Sequence, residues 1–268
     1  MIPSRLAPSG PTRLCDTVVC VCKSGGEYGV PHVAALQQQL ARHAPGARLI
    51  CLTDLPDMPA GVERRALQHD LPGWFSKLEI FDLPERCFLY IDLDVFITRS
   101  PLTDAPPGLW LLRGFKGRDF NSSVMLVNGN YRRILERFLA DTQANLQAYS
   151  GCTGWGDQDF IRDSGQISGA LQDLHPNLAA SWKVDLRYRM DWIEPAPAVL
   201  VFHGKPKPEQ LRIENPKPGR VRMSSSASLL WHKGLRSALM PSPSARPAAA
   251  ENPQARCHRH PPAGCAAA

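Results

Sequence analysis

Two aspartates separated by a single residue follow an apolar run in the first half of the chain. The run covers residues 88–91, and Asp92 and Asp94 come directly after it. Its β-branched and aromatic residues are typical of a strand in a sheet that is covered on both faces. In open α/β sheets ligands bind beyond the carboxyl ends of strands, and two carboxylates so close together can direct oxygens to one hard cation. The pattern predicts a metal site at the end of this strand.

The alternative is that these aspartates begin a solvated turn, which is an ordinary role for the sequence Asp-x-Asp. Apolar residues lie on both sides of the pair, at 88–91 and at 95–97. Because an uncompensated buried charge is costly, these flanks favour a bound divalent ion over the solvated turn.

Polar side chains also stand at the start of two other predicted elements. Residues 120–128 predict a strand that is entered through Asn121 and two serines, and Asp157 and Gln158 follow the glycine-rich segment 151–156 at the start of a short helix. Helix capping explains one acidic residue there. It does not explain three consecutive polar residues beside three glycines. The amide of Asn121 and the hydroxyls of the two serines suit hydroxyl-rich ligands.

A histidine closes the last apolar run, and two lysines follow it. The run covers residues 198–202, and His203, Lys205 and Lys207 come next. A lone histidine is more often a structural residue than a metal ligand. However, parallel strands would bring the end of this run to the same edge of the sheet as Asp94. Neutral imidazole binds divalent metals and lysine offsets phosphate charge, so we expect His203 to be a third metal ligand.

The elements that position these residues alternate between strands and helices. A first strand at 16–22, a glycine-rich turn at 23–29, a helix from Pro31 to about residue 44 and a second strand at 48–52 imply a right-handed parallel unit. The turn allows close approach of a ligand, but it lacks the GxGxxG pattern, so no Rossmann dinucleotide site is predicted.

Two further helices are predicted, at residues 71–81 and 131–146. In the first, Trp74, Leu78 and Phe81 can share one face. Lys77 in the same helix is either a solvated surface lysine or a cation near a ligand phosphate.

Composition sets the domain organisation. With 268 residues, of which 43% are apolar, the chain can form a sizeable core. We expect a flexible leader at 1–14, one α/β domain at 15–214 and a disordered Pro-, Ala- and Ser-rich tail at 215–268. No stretch reaches the roughly 20 apolar residues of a membrane span, and the first residues lack a signal-peptide core, so a cytoplasmic location is expected.

The net charge of +6 is unevenly distributed. Residues 215–268 contain eight Lys or Arg and one acid, which leaves −1 for residues 1–214. We therefore expect no nucleic-acid binding by the folded part, and at most peripheral membrane contact through the basic tail. The eight cysteines include no CxxC pair. Those in predicted strands, Cys20, Cys22, Cys51 and Cys87, are expected to be buried thiols in a reducing compartment.

In their order and spacing, four motifs resemble bacterial nucleotide-sugar glycosyltransferases of the GT-A fold, nearest to glycosyltransferase family eight. The motifs are the Asp92-x-Asp94 strand, the strand at 120–128, Gly156-Asp-Gln-Asp159 and the His-Gly-Lys-Pro-Lys-Pro sequence at 203–208. The similarity spans roughly residues 15–210. It implies a Rossmann-like, mixed, mostly parallel sheet flanked by helices in a single domain.

The resemblance also implies site roles. It implies Mn²⁺ (or Mg²⁺) on the donor diphosphate, held by Asp92, Asp94 and His203. It implies catalytic roles for Asn121, which would contact the sugar, and for Asp157 and Gln158 beneath the anomeric carbon. The donor, expected to be a UDP-sugar, would be contacted by Val19, Cys20, Tyr28, Lys77, Asp92, Lys205 and Lys207.

The resemblance further implies a glycan or other hydroxyl acceptor and retention at the anomeric centre. The chain departs from the family in its histidine motif, which usually runs His-x-x-Gly-x-x-Lys-Pro. Here Gly204 follows His203 directly, so either Lys205 or Lys207 takes the phosphate role. The membrane-associating helices usual at the C-terminus in this family are not recognisable in the tail.

Two other classes of protein remain open. Residues 88–95 also resemble the first motif of haloacid-dehalogenase-type phosphatases, in which Asp92 would be the nucleophile, although Phe96 stands where that motif has Thr or Val. A non-catalytic nucleotide-sugar binding protein is the third class. Release of UDP, of inorganic phosphate or of neither distinguishes the three.

Overall fold

A computed structural model describes residues 13–115, 119–150, 156–187 and 191–224. The expected leader up to residue 12, the glycine-rich segment 151–155 and the expected tail from residue 225 lie outside the described residues. The strands in the described ranges are β1 (Arg13–Leu14), β2 (Thr17–Cys22), β3 (Arg48–Thr53), β4 (Val62–Ala66), β5 (Cys87–Ile91), β6 (Val95–Ile97), β7 (Asp104–Ala105), β8 (Gly108–Arg113), β9 (Phe120–Asn128), β10 (Gly169–Ala170), β11 (Ala179–Ser181), β12 (Val199–Val201), β13 (Arg212–Lys217) and β14 (Arg220–Ser224).

The helices in the same ranges are α1 (Val30–His43), α2 (Arg132–Ala140), α3 (Thr142–Tyr149), α4 (Asp157–Asp163) and α5 (Leu171–Leu174). Two segments form 3-10 helices, Gly73–Asp82 and Pro208–Gln210, and Trp182–Leu186 forms a π-helical turn. No helix in the described part of the chain is long and apolar enough to cross a membrane.

The central sheet has seven strands in the order β10-β8-β9-β5-β2-β3-β4. Strands β5, β2, β3 and β4 are parallel, and β9 runs antiparallel to both β5 and β8. This mixed, mostly parallel sheet flanked by helices confirms the predicted α/β class in a single domain.

Apolar residues alternate between the two faces of the sheet. Cys20 packs on the face covered by α1, with Val33 and Leu36. Val19 packs on the other face, which the 3-10 helix Gly73–Asp82 covers with Phe75. Because helices cover both faces, β2 is buried along almost its whole length, as an uninterrupted apolar run predicts.

The predicted helix at 131–146 is two helices in the structure. Its apolar positions have helical spacing throughout, but α2 ends at Ala140 and α3 begins at Thr142. The carboxylate of Asp141 accepts a hydrogen bond from the Ala144 backbone N–H at 3.0 Å. An aspartate that caps a new helix favours the break over continuation of the first one.

The strand before His203 is not in the central sheet. β12 belongs to a three-stranded sheet in the order β11-β12-β6, and it runs antiparallel to β6 with Val201 opposite Val95. The expectation of two parallel strands ending at one sheet edge was therefore wrong. The turn at Asp92 and Asp94 carries the chain out of the central sheet into β6, and the antiparallel pairing brings the end of β12 beside the start of β6.

Strands extend beyond the expected domain limits at residues 15 and 214. At the first limit, β1 pairs with β7. At the second, β13 and β14 form a hairpin that continues to Ser224. Asn215 is buried and donates from Nδ2 to the Thr98 backbone oxygen at 3.2 Å. Only Val221 and Met223 of β14 are buried, and two apolar positions are too few to predict a strand in a polar, proline-rich sequence.

The hairpin has a measurable role in stability. A chain that ends after Leu211 loses the buried side chains of Val221 and Met223, and we expect its free energy of unfolding to fall by at least about 2–5 kcal/mol. A chain that ends after Ser224 is expected to stay within about 0.5 kcal/mol of the full chain, since the segment removed lacks a core-forming pattern. Urea denaturation of both chains checks this, and equal losses would contradict the new boundary.

A buried histidine in α1 makes stability depend on pH. Burial, and to a smaller degree the charge of Arg42, lowers the pKa of His43 to about 4, and its Nδ1 has no hydrogen-bond partner among the described residues. The unfolded chain binds this proton near pH 6.5, so stability present above pH 6.5 is lost as pH falls toward 4, by about 3 kcal/mol. We expect His43→Gln to remove this acid dependence in urea denaturation, whereas His69→Gln, at an exposed position, keeps it.

Candidate active site

Polar side chains converge where β5, β9 and α4 meet. Asp92 follows β5, and its backbone N–H donates to the Ser123 carbonyl of β9 at 2.8 Å. On the same strand, the Ser122 hydroxyl donates to Oδ2 of Asp157 at 2.8 Å. The backbone of Gly156 has a φ of 65°, which favours glycine, and it turns the chain into α4 so that Asp157 is buried against β9.

Lys77 lies at the centre of this group. Its Nζ is 3.0 Å from Oδ1 of Asp92 and 3.0 Å from Oδ2 of Asp157, and the side chain is nearly fully buried. The fully buried side chains of Phe75 and Leu78 hold its helix against the sheet. Of the two interpretations of Lys77, the solvated surface lysine is therefore wrong.

The charges in this group depend on one another. Burial favours the neutral form of Lys77, but the carboxylates of Asp157 and Asp92 outweigh it and raise the lysine's pKa above its ordinary value. Burial likewise raises the pKa of Asp157, against the opposing effect of Lys77. The lysine thus stays charged and links two carboxylates that would otherwise repel each other.

A second group surrounds Asp94. Its Oδ2 lies 2.7 Å from Nζ of Lys207 and accepts a hydrogen bond from the Tyr28 hydroxyl at 3.0 Å. Lys207 also donates to Tyr28 Oη, and Glu27 lies 3.6 Å from its Nζ. Lys207 is buried while Lys205 is exposed, so the structure brings only Lys207 of these two lysines to the aspartates.

Burial also governs the ionisation of this second group. It raises the pKa of Asp94, with Lys207 opposing and Asp92 adding to the increase. For Lys207, burial lowers the pKa, but Asp94 more than compensates and raises it. The pair is therefore an ion pair inside the protein, of the kind that breaks only at substantial cost.

The predicted amide pair is also brought together. Nδ2 of Asn121 donates to Oε1 of Gln158 at 3.3 Å, and the Ser122 backbone N–H lies 3.4 Å from the same oxygen. Both side chains are partly exposed, beside the buried Asp157. Asn121, Asp157 and Gln158 thus lie at one place, as the sequence predicts.

The side chains of Val19 and Cys20 lie inside the core. Both side chains are fully buried in the middle of the sheet, and Cys20 lies opposite Cys51 in the register of β2 with β3. A strand in the centre of a sheet covered on both faces directs its side chains into the core, so these two residues could contact a ligand only through the backbone. Their place at the uridine stays a prediction.

His203 has different neighbours from those expected. Its Nε2 is 2.8 Å from Oγ of Ser181, and its ring meets the edge of Phe115 at a centroid distance of 5.2 Å. Among the residues that the structure describes, no group of three or more His, Cys, Asp or Glu side chains is arranged to hold a metal ion. The role of His203 as a metal ligand stays a prediction.

Comparisons with known proteins bear on the fold. No family model matches the chain, and no curated protein has a similar sequence. The apo form of the glycosyltransferase GlyE from Streptococcus pneumoniae TIGR4 superposes with a TM-score of 0.53 at 19% identity, over 72% of this chain and 56% of GlyE. The chain has a GT-A glycosyltransferase fold.

Two further structures are similar to this GT-A chain. Another structure of GlyE gives a TM-score of 0.52 at 18% identity, over 72% of this chain and 56% of that one. The galactosyltransferase LgtC, in complex with donor and acceptor sugar analogues, gives 0.49 at 16% identity, over 72% and 89%. The GT-A chain thus spans little more than half the length of GlyE.

The chemistry of the Asp92 and Asp94 side chains suits a hard divalent cation. Mg²⁺ and similar ions are commonly held by one or two carboxylates together with substrate phosphates, and they do not need a full cage of protein ligands. The two carboxylates of Asp92 and Asp94 are donors of that type, so their chemistry fits a Mn²⁺ or Mg²⁺ ion without His203.

Sequence reasoning missed two members of the site. The Tyr90 hydroxyl donates to Oδ1 of Asp92 at 2.6 Å, and Ser122 contacts both Lys77 and Asp157. The signal for Tyr90 was its position two residues before Asp92, because side chains at i and i+2 of a strand point to the same face. Ser122 could have been found from its place beside Asn121 at the start of β9.

Proposed function

We propose that the chain is a metal-dependent glycosyltransferase that moves a sugar from a UDP-sugar to a hydroxyl group of a glycan acceptor. The observation that supports this most directly is the set of three carboxylates that are paired with two buried lysines. Asp92 and Asp157 share Lys77, and Asp94 binds Lys207. In a GT-A fold, such a set suits a ligand that carries both a diphosphate and a sugar.

The Asp94 group would serve the diphosphate. Breaking the bond between sugar and phosphate leaves negative charge on the departing diphosphate. A Mn²⁺ or Mg²⁺ ion held by Asp92 and Asp94 would supply electrostatic stabilisation of that charge. Lys207 stays protonated because of Asp94, so it offers a fixed positive charge at the same place, held by the Tyr28 hydroxyl.

The group at Asp157 would serve the sugar. As the bond breaks, positive charge develops on the sugar ring, and oxygen atoms that face it stabilise it. Gln158 supplies an amide oxygen, and Asn121 can orient sugar hydroxyls through hydrogen bonds. Lys77 and Ser122 hold the Asp157 carboxylate in place, so that its oxygens need little reorganisation during the reaction.

A survey of donors tests the proposal against its two alternatives. The wild-type chain is incubated with UDP-, GDP- and TDP-sugars or with glucose 1-phosphate, with octyl β-glucoside and lactose as acceptors and with Mn²⁺ or EDTA, and release of nucleoside diphosphate and of inorganic phosphate is measured. We expect UDP release that requires the metal, without inorganic phosphate. Release of inorganic phosphate would favour the phosphatase with Asp92 as nucleophile, and binding of a nucleotide sugar without turnover would favour the binding protein.

The proposed role of His203 has its own test. If the imidazole binds the metal, His203→Ala should raise the Mn²⁺ concentration needed for UDP binding by at least about tenfold, since even the loss of an outer-shell partner costs that much. Calorimetric titration of Mn²⁺ at saturating UDP measures it. His175→Ala is the matched control, because it removes an imidazole that contacts the Thr103 hydroxyl. A His203→Ala variant that titrates like wild type would make the histidine structural.

A further inference from the structure

One large apolar side chain beside the candidate site is exposed. Trp74 keeps 49% of its surface exposed, whereas Leu78 and Phe81, which could share its face, are buried. The expectation of a common buried face thus fails at Trp74. A helix that is otherwise held in the core presents its largest side chain to solvent.

The position of this indole distinguishes it from an ordinary exposed apolar residue, which needs no explanation on a protein surface. The ring packs against the backbone of Gly156, so closely that a Cβ on that residue would lie 2.8 Å from Cε3 of Trp74. Gly156 directly precedes Asp157 and Gln158. Three residues after Trp74, the amino group of Lys77 reaches Asp157. The indole therefore lies against the residue that begins the turn into α4, next to the groups that are proposed to act on the donor sugar.

An exposed indole in that place suits one kind of ligand. One face of a pyranose ring carries C–H groups that are apolar and slightly positive, and the face of an aromatic ring is apolar and slightly negative. Ligand sites commonly combine such an aromatic wall with a few polar groups that orient the ligand. A charged ligand such as the proposed diphosphate would instead be placed at Lys207 and at the metal ion that Asp94 would hold.

We propose that Trp74 forms the acceptor subsite, and that the acceptor is a saccharide whose ring stacks on the indole beside Asp157 and Gln158. This rests on the proposed glycosyltransferase function. Stacking on Trp74 would hold an acceptor hydroxyl near the anomeric carbon without using the charged groups that serve the donor.

The test separates transfer to a saccharide from transfer to water. UDP release is measured for wild type, Trp74→Phe and Trp74→Ala, first without acceptor and then with octyl β-glucoside, octyl β-galactoside, lactose and 1-octanol. We expect at least one saccharide to stimulate UDP release in wild type. Trp74→Ala should raise the KM for that saccharide about tenfold or more, and Trp74→Phe should keep part of the effect because it keeps an aromatic face.

Val184→Ala changes an apolar residue of similar exposure, 48%, and should leave the saccharide KM unchanged. If Trp74→Ala raises the calorimetric dissociation constant of UDP as much as the saccharide KM, the indole stacks on the uracil and the proposal is wrong. An unchanged KM, or UDP release that only 1-octanol stimulates, also overturns it. A wild type that releases UDP from no nucleotide sugar would instead refute the underlying function.

Discussion

Replacement of Lys77 by methionine is expected to lower the free energy of unfolding by about 3–5 kcal/mol, as loss of one partner in a buried ion pair does. The reason is that Asp92 and Asp157 each lie 3.0 Å from Nζ of Lys77. Without the lysine, Asp157 is a buried carboxylate beside another carboxylate. Urea denaturation at pH 7 measures the loss.

The same variant has a characteristic pH dependence. Burial already raises the pKa of Asp157 above its ordinary value in the intact site, and removal of Lys77 takes away the opposing charge. A carboxyl group whose pKa is raised in the folded state binds its proton more tightly there, so stability falls as pH rises above the unfolded value of about 4. Lys77→Met should therefore be more stable relative to wild type at pH 5 than at pH 8.

Two further variants show whether the buried pair is responsible. Adding Asp157→Asn to Lys77→Met should recover part of the lost stability and remove most of the extra pH dependence, with a coupling energy of about 1–3 kcal/mol. Lys217→Met removes a surface lysine that pairs with Glu194 at 2.8 Å, and it should change stability by no more than about 1 kcal/mol. If Lys77→Met is as mild as Lys217→Met, the central ion pair does not exist as described.

Replacement of Asp94 by asparagine is expected to abolish the metal-dependent part of UDP binding and to lower kcat/KM by about 10²–10³-fold, the effect of losing one preorganised electrostatic contact. Asparagine keeps the shape of the side chain but loses the charge that would bind the cation and that holds Lys207. In wild type, UDP should raise the melting temperature strongly with Mn²⁺ and weakly with EDTA, since a ligand that binds only the folded state stabilises it.

Asp104→Asn is the matched control, because Asp104 is exposed in β7, away from the aspartate pair in sequence. This variant should respond to UDP and Mn²⁺ like wild type. An equal UDP effect with Mn²⁺ and with EDTA in wild type would contradict the metal site, and so would an unchanged metal effect in Asp94→Asn.

Local sequence patterns were sufficient for the elements that frame the site. The uninterrupted apolar residues of β2, β3 and β5 identify strands buried on both faces, and the spacing of Val33, Leu36 and Leu40 identifies α1. These patterns are periodic, and burial against a sheet or a helix requires the same period. The positions of Asp92 and Asp94 after a strand, and of Asp157 after a glycine, follow from the same local signals.

Other features depend on contacts between segments distant in sequence. The charge of the buried Lys77 is balanced by Asp92 and Asp157, which lie 15 and 80 positions further along the chain. The choice of Lys207 over Lys205 depends on Tyr28 and Asp94. No local period distinguishes a buried lysine from an exposed one, since only its partners decide whether its charge can be buried.

The sequence by itself therefore determined the α/β class, the aspartate pair and the amide and acidic groups of the site, because each depends on local periodicity or on the end of one element. Only the tertiary structure decided that the side chains of Val19 and Cys20 are inaccessible to solvent, that β12 runs antiparallel to β6, and that Trp74 is exposed beside Gly156. Strand pairing and side-chain exposure are set by which segments pack together, and that choice minimises the free energy of the whole fold rather than of any one element.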